Sequence, residues 1–226
     1  DLLVSAQYWG PTSEAVYGAA YLVLGQATPT TSPLASAAHI IRGSSASQLT
    51  GASVAGGGDV DADGLGDFLV GAPYERDNAG AAYLFLGAAE IADSTTDAAD
   101  ACFSSEAPHM YASHGLAVVG DIDGDGHDDV LVGAHGSGGP GRTALFLGSA
   151  GVTSRTFDQA DAMFEGADED HAGYAVAGSG DINRDGFDDL LIGAYGNSDN
   201  GSGAGAVHLI LGAPNLAGCV LTEADS

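Results

Sequence analysis

Three times in this chain a run of aspartates wrapped around a glycine leads directly into an apolar strand. The copies read "DVDADGLGDFLVGAP" from Asp59, "DIDGDGHDDVLVGAH" from Asp121 and "DINRDGFDDLLIGAY" from Asp181, at intervals of 62 and 60 residues. A unit recurring at this period cannot bury its apolar face alone, so the chain must be a solenoid, a propeller or an array. Each copy is preceded by a small-residue strand ("GASVAGGG", "GLAVVG", "GYAVAGSG") and followed by "AAYLFLG", "TALFLG" or "AVHLILG". A further short apolar piece comes next in each: "ACFSSEA", "AMFEGA" and "GCVLTEA". Four short strands per unit, without a convincing helix, favour a propeller blade.

The acidic run has its own chemistry. Carboxylates this close repel one another unless protonated or bound to a cation. In the second copy Asp121, Asp123, Asp125 and Asp129 hold positions 1, 3, 5 and 9 of a loop. Gly126 at position 6 permits a sharp turn, and the backbone carbonyl of His127 falls at position 7. Hard oxygen donors at these offsets suit calcium. The other two copies offer Asp59, Asp61, Asp63, Leu65 (carbonyl) and Asp67, and Asp181, Asn183, Asp185, Phe187 (carbonyl) and Asp189. An EF-hand would need a bidentate Glu at position 12 and flanking helices. Val132 stands at position 12, within a β-branched run, so the loop lies between strands. A solvated acidic turn explains one such loop but not three. The expectation is three calcium ions, weakest at the third loop, where Asn183 replaces a carboxylate. Asp188, at position 8, is expected to point away from its ion.

The chain resembles the FG-GAP repeats of the integrin α-subunit β-propeller, over essentially its whole length. "GAP" stands at Gly71-Ala72-Pro73 and becomes "GAH" and "GAY" later; the "FG" half is degenerate in "LTGASVA", "SHGLAVV" and "HAGYAVA". The resemblance implies that the calcium loop joins the first and second strands of a blade on one face, and that ligands are met mainly on the opposite face. It also implies a secreted or cell-surface protein acting in adhesion or protein–protein interaction.

"DLLVSA" at the start aligns with "DFLVGA", "DVLVGA" and "DLLIGA", so Asp1 corresponds to the position-9 ligands. The expected fold is therefore all-β, a propeller segment of four-stranded antiparallel blades, three complete and one a three-stranded partial blade. The units are 1–47 (strands two to four only), 48–110 with loop 59–67, 111–170 with loop 121–129, and 171–226 with loop 181–189. Residues 219–221 are read as the outermost strand of the last blade. Completion by further blades of the same protein, or by another chain, is expected. The Ala/Gly/Ser/Pro stretches 26–38 and 196–206 read as loops within a unit.

Charge narrows the partners. The 226 residues carry a formal charge of −26, with five basic residues, all arginine. Phosphate contact requires basic patches, so nucleic acid is excluded, and anionic membrane surfaces are disfavoured. Apolar runs are strand-length, far short of the ~20 residues of a membrane span, so no membrane insertion is expected. Weak calcium sites fill readily only where calcium is abundant, which points outside the cytosol. Cys102 and Cys219 align in the outermost strands of two different blades, too far apart for a disulfide, and are read as packing residues.

No catalytic motif is present, and the acidic pairs repeat with the blades, whereas a catalytic pair would break the repeat; the segment reads as non-enzymatic. What does break the repeat is the loop between second and third strands. These loops carry Tyr8, Trp9, Tyr17, Tyr74, Arg76, His135, Arg142 and Tyr195, candidates for a protein or glycan ligand on the face opposite the calcium loops. The alternative reading is a carbohydrate-binding propeller, or a non-catalytic module of a secreted polysaccharide-degrading enzyme.

Overall fold

The computed structural model describes residues 1–10, 16–25, 34, 39–136 and 138–221. The expected loop at 26–38 thus lies outside the described residues, apart from Leu34. The chain opens with β1 (Leu2–Ala6), β2 (Ala19–Val23) and β3 (His39–Arg42). It continues through β4 (Val54–Gly58), β5 (Asp67–Ala72), β6 (Ala81–Phe85), the two-residue β7 (Ser94–Thr95) and β8 (Ala101–Ser104). Next come β9 (Leu116–Val118), β10 (Val130–Ala134), β11 (Arg142–Phe146), β12 (Arg155–Thr156) and β13 (Ala162–Glu165). The last three are β14 (Ala172–Gly180), β15 (Asp189–Ala194) and β16 (Ala206–Ile210). Among the described residues no helix is long and apolar enough to cross a membrane.

These strands form four antiparallel meanders: β1-β2-β3, β4-β5-β6-β8, β9-β10-β11-β13 and β14-β15-β16. The segment is a partial β-propeller, whose sheets stack face to face in chain order. Three apolar cores fill the three gaps between successive sheets. Ile41, Val70 and Phe85 belong to the first, Leu84, Phe103 and Phe146 to the second, and Leu145, Phe164 and Ile192 to the third. Phe103 stacks on Phe146 across the middle gap, with ring centroids 4.5 Å apart. This stacking explains the continuous apolar runs: β5 and β10 are covered on both faces and buried at every residue. In the outer sheets one face is uncovered and alternation returns, with Leu2 and Val207 about 60% exposed.

The sheets are also stitched at their outer edges. β7 runs parallel to β3, pairing Thr95 with Arg42, and β12 runs parallel to β8, pairing Thr156 with Ser104. The third stitch corrects the sequence reading. Val220 bridges Glu165 in parallel, and Leu221 N–H donates to the Glu165 carbonyl at 2.7 Å. Arg42, Ser104 and Glu165 are equivalent, since each opposes the first residue of its blade's third strand. Val220 is therefore the counterpart of Thr95 and Thr156, and Leu221 that of the buried Thr96 and Phe157. Residues 219–221 lie on the preceding blade and are not the outermost strand of the last one. Among the described residues two blades, not three, have four strands of their own, and both end blades have three. Cys102 and Cys219 are accordingly not equivalent, and no disulfide joins them. The misreading has a simple cause. An apolar extended run announces a strand but not which sheet edge it will join, and the true counterparts, "DSTT" and "SRTF", are polar apart from Phe157.

Candidate metal centre

Each acidic loop joins the first and second strands of a sheet, and its backbone folds around the position-1 carboxylate. Asp59 Oδ1 accepts from Asp63 N–H (3.0 Å) and Oδ2 from Gly64 N–H (2.9 Å). Asp121 does the same with Asp125 (3.0 Å) and Gly126 (2.9 Å), and Asp181 with Asp185 (3.1 Å) and Gly186 (3.0 Å). Reversing the chain within these few residues puts Gly64, Gly126 and Gly186 at φ between +90° and +96°, a region that favours glycine.

The position-9 aspartate anchors the loop from below. It opens the second strand, or in the second copy immediately precedes it, and is buried in all three. Its oxygens accept from two distant backbone groups: Val60 and Gly87 on Asp67, Ile122 and Gly148 on Asp129, Ile182 and Gly212 on Asp189. Gly25 N–H donates to Asp1 in the same way, which places Asp1 in this series. Each carboxylate oxygen keeps a lone pair for another donor or an ion.

Carboxylate oxygens of Asp59, Asp61 and Asp67 lie within 4.8 Å of one another, as do those of Asp121, Asp123 and Asp129. Without a cation such a cluster is costly. Burial, with the charges of Asp123 and Asp121, pushes Asp129 up to about 7, although two N–H donors pull the other way. Burial likewise raises Asp67 and Asp123 above the usual carboxylate range. A hard cation would remove this penalty, and an all-oxygen donor set of this size fits calcium. Asp63 and Asp125 turn partly to the loop itself, accepting from Leu65 N–H (2.8 Å) and His127 N–H (2.9 Å). In the third loop Asp181, Asn183 and Asp189 accept the same backbone hydrogen bonds as their counterparts. The Asn183 amide donates to Asp185 at 2.8 Å, a bond no carboxylate could make.

At the opposite ends of β5, β10 and β15 lies a polar aromatic patch. Three of the eight residues proposed for a ligand face, Tyr74, His135 and Tyr195, come together here around a cavity of about 330 Å³. The structure adds Tyr111, His114, His171 and Tyr174. His114 and His135 are 4.8 Å apart between centroids, and His171 stacks on Tyr195 at 4.9 Å. Burial, helped by the neighbouring imidazoles of His114 and His171, pushes His135 down to about 4. The four added residues lie just before or at the start of the innermost strands. The signal for His114, His171 and Tyr174 was the motif "HG" or "HAGY" at the approach to β9 and β14, and Tyr111 carries no such signal. The other five candidates lie elsewhere. Tyr8 and Trp9 line a separate groove with Ser5 and Ala52, and Arg42 sits over the Trp9 ring at 5.4 Å. Tyr17 is held by backbone bonds to Trp9 and Thr50. Arg76 and Arg142 pair with Glu75 and Glu165.

Comparison with known proteins agrees with this architecture. The model of the FG-GAP repeat matches residues 50–85, 115–146 and 172–210, one match for each acidic loop and its flanking strands. Human integrin alpha-IIb is 33% identical over 179 residues, covering 70% of this chain and 16% of the relative. Integrin alpha-PS2 of Drosophila melanogaster is 31% identical over 156 residues (61% and 11%), and integrin alpha pat-2 of Caenorhabditis elegans 28% over 161 residues (65% and 13%). The chain thus spans less than a fifth of the length of these relatives.

Proposed function

Because the chain is an integrin-α-like module of three FG-GAP repeats, we propose that it is a calcium-stabilised propeller segment of a secreted or cell-surface protein, acting in adhesion through protein–protein contacts. Its units are 1–47, 48–110, 111–170 and 171–226, and it holds three calcium ions, at loops 59–67, 121–129 and 181–189. The metal is structural. Side chains at positions 1, 3, 5 and 9 and the carbonyls of Leu65, His127 and Phe187 hold it, and its charge offsets the crowded carboxylates. The observation that carries this reading is the convergence of three carboxylates, one of them fully buried, within 4.8 Å in each of two loops. The adhesive contact is made on the opposite face, where Tyr74, His135 and Tyr195 meet Tyr111, His114 and His171.

Calorimetric titration of the metal-free chain with calcium tests the reading, and three bound ions are expected. Binding to the native state alone adds about 2.7 kcal/mol per site at a hundredfold excess over Kd. Chelator should therefore lower the melting temperature clearly. An unchanged melting temperature and no bound calcium would overturn the proposal. A glycan-binding propeller is the second reading, favoured by Tyr8, 72% exposed beside Trp9. Binding on a glycan array that is lost in Trp9→Ala would support it.

A further inference from the structure

Position 8 of the acidic loop carries an aspartate in the second and third copies, Asp128 and Asp188, and neither carboxylate serves its own loop. Asp128 Oδ2 accepts from the backbone N–H of Asp59 at 2.8 Å, and Asp188 Oδ2 from that of Asp121 at 3.2 Å. The backbone answers in return, since Asp128 N–H donates to the Asp59 carbonyl and Asp188 N–H to the Asp121 carbonyl, both at 3.0 Å. Position 1 of one loop is therefore held on both its N–H and its C=O by position 8 of the next. The residue just before position 1 must leave room for the strap. A Cβ at Gly58 would lie 2.2 Å from Val118 Cγ1 and 2.8 Å from Asp128 Oδ2, and one at Gly120, with φ +85°, would collide with the Asp188 carboxylate. At Gly180, the same place in the third loop, a Cβ would meet nothing within 4 Å.

We propose that Asp128 and Asp188 are positioning residues for the neighbouring calcium site: Asp128 sets the affinity of loop 59–67 and Asp188 that of loop 121–129. The proposal rests on the calcium reading above. The position-1 carboxylate is the one around which the loop folds, through the N–H groups of positions 5 and 6. Fixing the backbone of the same residue from the next blade leaves that carboxylate a single orientation before metal arrives. A preorganised ligand loses less freedom on binding, so the strap raises affinity without touching the ion. Each site then senses the blade that follows it.

The position-6 glycines supply site-resolved reporters, because their N–H groups donate to the position-1 carboxylates. Calcium titration of the whole chain, followed at the amide resonances of Gly64, Gly126 and Gly186, reads the three sites separately. In Asp188→Ala the Gly126 midpoint should move to about tenfold higher calcium, with Gly186 nearly unmoved. Asp188→Asn removes the charge but keeps an acceptor, and should restore most of the affinity. Amide hydrogen exchange without metal should show Asp121 N–H losing protection in Asp188→Ala and keeping it in Asp188→Asn. A dominant shift at Gly186, or equal defects in the two variants, would overturn the proposal, as would an unmoved Gly126 midpoint in Asp188→Ala. If no glycine in the unmodified chain responds to calcium, the calcium reading itself falls, and the affinity role with it.

Discussion

The Asp188 carboxylate accepts a hydrogen bond from the backbone N–H of Asp121, 67 residues earlier in the chain. The Asp128–Asp59 pair repeats the contact across the preceding gap. Two consecutive blades are thus joined at their acidic ends by polar bonds, over the apolar core that fills the space between them.

The three calcium sites should differ in strength. Loop 181–189 has one carboxylate fewer, at Asn183, and open space at Gly180 where the other loops are strapped. It should fill last, at calcium concentrations on the order of tenfold higher, because ligand charge and site rigidity tune affinity. Asn183→Asp should close much of that gap in a calorimetric titration. Identical stepwise constants in the unmodified chain would contradict the ranking.

Asp129→Ala should destabilise the chain even without metal. Its carboxylate satisfies the buried N–H groups of Ile122 and Gly148, so truncation leaves two donors unpaired. The expected loss is about 2–5 kcal/mol in urea unfolding with chelator present. Removing a buried, partly charged carboxylate gives some of this back, so Asp129→Asn, which keeps an acceptor, should cost clearly less. A neutral Asp129→Ala would mean that this anchor is not formed.

The stitch at residues 219–221 predicts a specific asymmetry. Leu221 is buried in the core between the third and fourth sheets, whereas Val220 is 58% exposed. Leu221→Ala should cost about 2–4 kcal/mol, by lost transfer energy plus a cavity. Val220→Ala should cost well under 1 kcal/mol. Equal effects in thermal unfolding would restore the reading of this stretch as an outer strand of the last blade.

Acid should weaken the aromatic face through His135. Its folded value is depressed to about 4, below the ordinary 6.5, so between these values the unfolded chain takes up a proton that the folded chain refuses. The contribution is present above about 6.5, is lost as pH falls toward 4, and levels off below that. After discounting for partial exposure the loss is on the order of 1–3 kcal/mol. Unfolding of His135→Phe compared with the unmodified chain isolates it, since the other titrating groups are common to both. The stability difference between the two should change with pH in favour of His135→Phe as acid is added. A difference independent of pH would show that His135 takes a proton freely in the folded state.

The sequence alone determined the local units. Period-60 recurrence, strand-length apolar runs and the placement of Asp and Gly within nine residues depend only on near neighbours in the chain. So the loop around Asp121, with Gly126 at its turn and Asp129 just before β10, was legible as written, as was Asp1 as a counterpart of the position-9 residues. The tertiary structure decided how units meet. Val220 could have paired with either of two sheet edges, and only the stacking of the blades placed it beside Glu165 and Leu221 in the core. The roles of Asp128 and Asp188 were hidden for the same reason, because their partners lie in another repeat. Tyr111, His114, His171 and Tyr174 join Tyr74, His135 and Tyr195 only because the ends of three blades converge. Periodicity fixes what each strand buries, but contact between repeats depends on distances that no spacing within a single repeat contains.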